Sequence, residues 1–154
     1  MWCGAPEGDR ADWLVEKLGE VGVARLRLVD TERGRWERAE KRAERWERLA
    51  VAAMRQSLSA FRLRIEPPAR LADLLAAGVP PAGAWLADPD GAPFAAAGAA
   101  GPGPFAAAVG PSAGFSAAER NALSGSGFVP TRLTPSRLRT ETAALALAAA
   151  VLGA

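Results

Sequence analysis

The stretch Phe105–Glu141, reading FAAAVGPSAGFSAAERNALSGSGFVPTRLTPSRLRTE, constrains the fold more than any other part of the chain. Phe105-Ala-Ala-Ala-Val109 is a short apolar run of the kind carried by a strand buried on both faces, and it stops at Gly110-Pro111, a dipeptide that ends regular structure. Ser116 with Glu119 three residues on has the form of a capping box, which predicts a helix to about Ser124 closed by Gly125 or Gly127. Phe128–Leu133 reads as the next strand, with Pro130 weakening its start. Strand, glycine-rich loop, helix, strand, loop and helix N-terminus is how an α/β protein builds a ligand crevice at the carboxyl ends of parallel strands. The candidate site is therefore two loops, Gly110–Gly114 and Thr134–Thr140.

Gly110 and Gly114 lack a Cβ, so the first loop can approach a ligand closely, although spacing alone fits an ordinary βα turn equally well. The second loop, continued to Thr142, packs two arginines, a glutamate and four hydroxyls into nine residues, a high density for a plain connection. Its bland reading is helix initiation, with Thr140 as the cap and Glu141 favoured in the first turn by the helix dipole.

Gly110-Pro111-x-x-Gly114-Phe115-Ser116-x-x-Glu119, then Gly127-Phe128, then Leu133-x-x-x-Arg137-Leu138-Arg139-Thr140-Glu141-Thr142-Ala143 closely resembles the signature GPEGGFS…E…GF…LG…RLRTETA of the ribosomal RNA small-subunit methyltransferase E family. Asp9-Arg10-x-x-Trp13-Leu14-Val15-Glu16-Lys17 is similar to a second block of that family, and Ala53-Met54-x-Gln56-Ser57-Leu58 to a third. The resemblance implies a trefoil-knotted α/β domain of the SPOUT superfamily, with a mostly parallel sheet flanked by helices. It also implies a homodimer that binds S-adenosylmethionine in the knot and methylates N3 of a uridine in 16S ribosomal RNA or the small ribosomal subunit. By the same resemblance, Leu86, Gly110, Pro111, Ser112, Ala113, Gly114, Leu133, Thr134, Arg137, Leu138 and Thr142 would hold the cofactor. Arg139 and Glu141 would be catalytic, and Arg10, Gln56, Arg137 and Arg139 would meet the RNA. The chain departs from the family at GPEGG, which is Gly110-Pro111-Ser112-Ala113-Gly114 here, and at Thr134, which replaces a glycine and whose Cβ is expected to crowd the backbone that should wrap the cofactor. The family's amino-terminal PUA-like barrel has no room in this chain, which reads as one domain over residues 1–154. These departures keep an alternative open: a catalytically degenerate dimeric remnant that binds RNA or only itself.

Composition narrows the chemistry. Among 154 residues there is no histidine and no tyrosine, and Cys3 is the one cysteine, so a Ser-His-Asp triad, a Cys-His pair, a histidine metal site and a thiolate zinc cluster are all excluded. No metal is expected. Methyl transfer from a sulfonium donor fits what remains, because the leaving group is already activated and the protein mainly aligns donor and acceptor. A net charge of +2 implies no bulk polycationic character, and Ala143–Leu152, the longest apolar stretch, is about half of what a membrane span needs. A single cysteine and no visible signal peptide suggest a cytoplasmic protein with no membrane partner.

Along the rest of the chain, Trp13, Leu14, Leu18 and Val21 predict a helix over Asp12–Val21 capped by Gly22. Ala24–Val29 alternates with Arg25 and Arg27 and reads as a strand with one wet face. A long helix, about Arg35–Gln56, carries a stripe of Trp36, Ala39, Ala43, Trp46, Ala50, Ala53 and Ser57, and a mixed-charge outer face. Arg62–Glu66 reads as a short strand, Leu71–Ala77 as a short helix ended by Gly78, and Ala84–Ala87 as a buried strand ending at Asp88-Pro89. Asp90–Pro104, rich in Gly, Ala and Pro, is expected to be a flexible loop.

Overall fold

A computed structural model describes residues 1–78, 83–94 and 104–153. The chain runs β1 (Trp2–Gly4), α1 (Arg10–Val21), β2 (Arg25–Asp30), α2 (Ala39–Gln56), β3 (Arg64–Arg70), α3 (Leu71–Ala76), β4 (Ala84–Pro93), β5 (Ala106–Val109), α4 (Ala117–Gly125), β6 (Val129–Arg132) and α5 (Thr140–Leu152). The strands form one sheet in the order β3-β2-β1-β5-β4-β6, and every pairing is parallel. This is the α/β architecture expected from the sequence.

The core lies on both faces of that sheet. α1, α2 and α5 cover one face, where Leu14, Leu18, Trp46, Ala144 and Leu147 meet Cys3, Leu26 and Leu28. On the other face Leu71, Leu74, Leu123 and Phe128 meet Trp2, Val29 and Leu86. β5 explains why its sequence shows no polar alternation: Ala107 and Val109 belong to the first layer, and Ala106 and Ala108 to the second. Its small side chains suit a central strand squeezed between two helical layers. β6 lies at the edge, the position where a proline such as Pro130 costs no ladder hydrogen bond on its open side.

Several local expectations change. α2 begins at Ala39, not Arg35, because Arg38 takes a left-handed conformation at φ 56°. Trp36 is still buried, but in the preceding loop. Its backbone N–H donates to Asp30 Oδ1 at 2.9 Å and its indole Nε1 to the Cys3 carbonyl at 2.8 Å. Ala43, placed on the buried stripe by its spacing, is exposed, and so is Trp13 of α1. The charged face of α2 pairs mainly with other elements: Arg42 with Asp9, Arg45 with Asp12 and Glu47 with Arg62, beside the single intrahelical pair Glu44–Arg48. Arg25 and Arg27 on β2 both pair with Glu66 of β3.

β4 does not stop at Asp88-Pro89. Its pairing with β6 shifts register between Ala87 and Ala92 and resumes as far as Pro93, so Asp88 and Pro89 sit in an irregularity that bends the strand. Residues 90–93 therefore belong to a strand and not to the loop expected from Asp90 onward. Residues 95–103 of that expected loop lie outside the described residues. Among the described residues no helix is long and apolar enough to cross a membrane.

Candidate functional site

The two loops named from the sequence meet at the carboxyl end of β5. The chain leaves β5 at Val109, turns through residues 110–114 and enters α4 at the capping box, where Ser116 Oγ accepts from the Glu119 N–H and the Glu119 carboxylate accepts from the Ser116 N–H at 2.8 Å. Glu119 is buried, and its other oxygen accepts from the Glu32 N–H at 2.9 Å. One carboxylate thus fixes both the start of α4 and the turn after β2.

Close packing holds the first loop in shape. A Cβ on Gly110 would lie 2.8 Å from the Phe115 backbone nitrogen, and Gly114 turns at φ 74°. Pro111 is wedged between the ends of β1 and the β2 turn: a Cβ on Gly4 would sit 2.3 Å from the Pro111 nitrogen, and one on Gly34 would sit 2.7 Å from its Cβ. Two arginines reach the loop backbone from different elements, Arg33 Nη1 to the Ala113 carbonyl at 3.4 Å and Arg137 Nη2 to the Ser112 carbonyl at 3.3 Å.

The second loop returns from β6 across the same strand ends. Thr140 does not cap α5. Arg139 occupies that position without a side-chain cap bond, and the buried Thr140 hydroxyl instead donates to the Gly110 carbonyl at 3.1 Å. The competing partner wins because Gly110 O is a buried acceptor at the end of β5, which would otherwise be left without a donor. Thr134 lies in the same loop, at the crevice. Its hydroxyl donates to the Ser136 carbonyl at 2.7 Å, a local turn that occupies the side chain.

Between the loops lies a cavity of about 350 Å³, within the range of about 300–1,000 Å³ usual for small-molecule sites. Gly110, Pro111, Ser112, Ala113, Gly114, Leu133, Thr134, Arg137 and Leu138, all assigned to the cofactor from the sequence, line it. Leu86 and Thr142 do not: Leu86 is buried in the α3/α4 layer, and Thr142 faces solvent. Arg139, Glu141, Arg10 and Gln56 also lie outside the lining. Arg139 and Gln56 are exposed, whereas Glu141 is buried and its ion-pair partner is Arg10, at 3.9 Å, and not Arg139.

The sequence reading missed Arg33, Asp88, Pro89, Arg120 and Arg132 as lining residues. Asp88 and Pro89 were visible as the end of a parallel strand, which is where such crevices form, but were read only as a stop signal. Arg33 follows β2 in a turn whose importance depends on the tertiary contact with Pro111.

The lining suits a nucleoside carrying a charged tail. Val109, Leu133 and Leu138 offer apolar walls, loop backbone offers hydrogen bonds, and Arg33 and Arg137 supply positive charge beside the 110–114 loop.

Comparison with known proteins points the same way. The family model described as RNA methyltransferase domain matches residues 1–152. The ribosomal RNA small subunit methyltransferase E of Aquifex aeolicus is 29% identical over 150 residues, which cover 88% of this chain and 59% of that protein. A crystal structure of a ribosomal RNA small subunit methyltransferase E from Neisseria gonorrhoeae, bound to S-adenosyl methionine, superposes with a TM-score of 0.86 at 28% identity, covering 97% of this chain and 63% of the other. A putative methyltransferase from Legionella pneumophila, in complex with the same cofactor, gives a TM-score of 0.86 at 26% identity over 99% of this chain and 65% of the other. The chain thus spans about three fifths of the length of the relatives it matches.

Proposed function

We propose a function from one premise: the chain belongs to the RNA methyltransferase domain family. It is read as an S-adenosylmethionine-dependent methyltransferase that acts on N3 of a uridine in 16S ribosomal RNA. The observation that carries this reading is the cavity formed where loop 110–114 meets loop 133–138, lined by nine of the eleven residues expected to hold the cofactor. The degenerate-remnant alternative would be favoured by a closed crevice. The side chain of Thr134, the substitution of most concern, is turned into a bond with Ser136 O, and the cavity stays open.

Bound S-adenosylmethionine would supply a methyl group on a sulfonium: the bond to N3 would form as the C–S bond breaks, a neutral thioether would leave, and the proton displaced from N3 would pass to water. The chain's own residues then have three tasks. The 110–114 loop, clamped by Arg33, Arg137 and Thr140, presents backbone groups in a fixed geometry. Arg33 and Arg137 hold the anionic end of the ligand. Arg139, exposed at the start of α5, orients the target nucleotide or its phosphate, a role suited to a planar fork of donors. Glu141 is assigned to holding Arg10 and the α5 N-terminus and not to proton removal, because it is buried outside the cavity.

The homodimer reading rests on α5. It is apolar on its outward side as well as its inward one, with Leu145, Ala146 and Ala150 half-buried and Ala149 and Leu152 exposed, which suits a second copy of the chain. The trefoil knot is proposed for the segment returning from β6 past loop 110–114, and a cytoplasmic setting follows from the proposed substrate. Calorimetry with S-adenosylmethionine, followed by methyl transfer to 30S subunits, tests the function. Arg139→Ala should bind the cofactor like the wild type and transfer methyl groups at least about tenfold more slowly. Equal rates would remove Arg139 from the mechanism.

A further inference from the structure

We infer that Asp88 is the cofactor's ribose-recognition residue, its carboxylate accepting from the 2′- or 3′-hydroxyl. This inference rests on the cofactor reading above and adds to it a residue that neither motif spacing nor the family signature singled out.

Asp88 lies in the bend of β4, just past the last residue of that strand paired with β5, and lines the cavity. Its side chain is only 10% exposed. The two carboxylate oxygens are used unequally. Oδ1 accepts from the Asp90 N–H at 2.9 Å, which fixes the side chain's orientation. Oδ2 has Arg120 Nη1 at 4.0 Å, beyond hydrogen-bond distance, and Arg120 is shared with Asp90 at 3.9 Å. Among the described residues no donor lies within hydrogen-bond distance of Oδ2, which is accessible at the cavity wall and open to accept from a ligand hydroxyl.

The charge of the lining singles Asp88 out: beside Arg33, Arg120, Arg132 and Arg137 it is the one carboxylate among the described residues of the cavity wall, and so the wall's one anionic acceptor for ligand hydroxyls. In dinucleotide-binding α/β folds a carboxylate accepts from the ribose hydroxyls, and the same chemistry is open to Asp88.

Calorimetry with S-adenosylhomocysteine and its 2′,3′-dideoxy analogue, on the wild type, Asp88→Ala, Asp88→Asn and Asp90→Asn, tests the assignment. Asp88→Asn keeps an oxygen for the Asp90 N–H, which guards against loss of the turn. The expected result is about tenfold or more weaker binding of S-adenosylhomocysteine by Asp88→Ala, a smaller loss for Asp88→Asn and little change for Asp90→Asn. The dideoxy analogue should bind Asp88→Ala no worse than it binds the wild type. Unchanged affinity in both Asp88 variants, or losses from the protein and ligand changes that simply add, would overturn the role of Asp88 while leaving the cofactor reading intact. A wild type that binds neither compound would overturn the cofactor reading itself, and this inference with it.

Discussion

The Thr140 hydroxyl donates to the carbonyl oxygen of Gly110 at 3.1 Å, joining the first turn of the last helix to the end of a central strand thirty residues earlier. Both partners are buried. Thr140→Val keeps the shape and removes the donor, so the Gly110 carbonyl is left unpaired. We expect a loss of about 1–3 kcal/mol in urea unfolding, together with several-fold weaker S-adenosylmethionine binding. Thr142→Val, two residues on and exposed, should change neither.

Gly110→Ala should be among the most damaging single-methyl changes in the protein. The added Cβ would meet backbone, the Phe115 nitrogen at 2.8 Å, and backbone cannot rotate aside as a side chain can. The expected cost is about 1–3 kcal/mol in chemical denaturation, with cofactor affinity lowered beyond what stability alone explains. Gly125→Ala, where the same atom meets nothing within 4 Å, serves as the control and should be near neutral.

Glu119 ties α4 to the turn that carries Arg33. Glu119→Gln retains one oxygen for either the Ser116 or the Glu32 N–H but not both, so one buried donor loses its acceptor. A drop of about 1–3 kcal/mol in unfolding free energy is expected, against about 1 kcal/mol for the cap substitution Ser116→Ala. Hydrogen exchange at the Glu32 amide should quicken in Glu119→Gln and stay protected in Ser116→Ala.

Burial pushes the Cys3 thiol up to about 12, helped by the nearby Glu141 carboxylate. The folded state therefore holds this proton more tightly than the unfolded chain, whose thiol ionises near 9. The stabilising contribution is complete below about pH 9 and falls away as pH rises from there through 12, by at most about 1.4 kcal/mol per unit. Urea melts between pH 8 and roughly pH 10.5 should show this loss, and Cys3→Ala should show a flatter profile over the same window. Thiol-alkylating reagents should label Cys3 only at the rate of unfolding.

Thr134→Gly would remove the Cβ expected to crowd the loop, but it would also remove a hydroxyl that the loop uses. The threonine hydroxyl stabilises the loop through Ser136 O, and glycine would lose that bond and add backbone freedom. Calorimetry should find S-adenosylmethionine binding to Thr134→Gly equal to or weaker than the wild type, not stronger.

The parts of the fold read correctly from the sequence are those where local chemistry and tertiary need agree. The Ser116/Glu119 box starts α4 because capping is a local interaction, and the unpatterned run at 106–109 is a central strand because both faces are covered. The α2 boundary and Ala43 were misplaced because a perfect helical period continues into Trp36, which the core captures through Asp30 and Cys3 from outside the helix. The lining of the crevice was legible where two loops carry dense motifs. Arg33 and Asp88 escaped because a strand end and a turn look alike until the sheet order sets them beside β5. Thr140 was read as a cap for the same reason: the competing acceptor is remote in sequence.

The bond from Thr140 to Gly110 also sets an order of events during synthesis. Translation proceeds from the amino end, and everything up to β6 can emerge and pair while the strand end at Gly110 still lacks its donor. A nascent chain halted before residue 140 would hold all six strands and both crevice loops but not the donor that ties the first loop to α5. The bond that locks the first loop is therefore the last to form, made only when α5 arrives and closes the loop against the strand that preceded it.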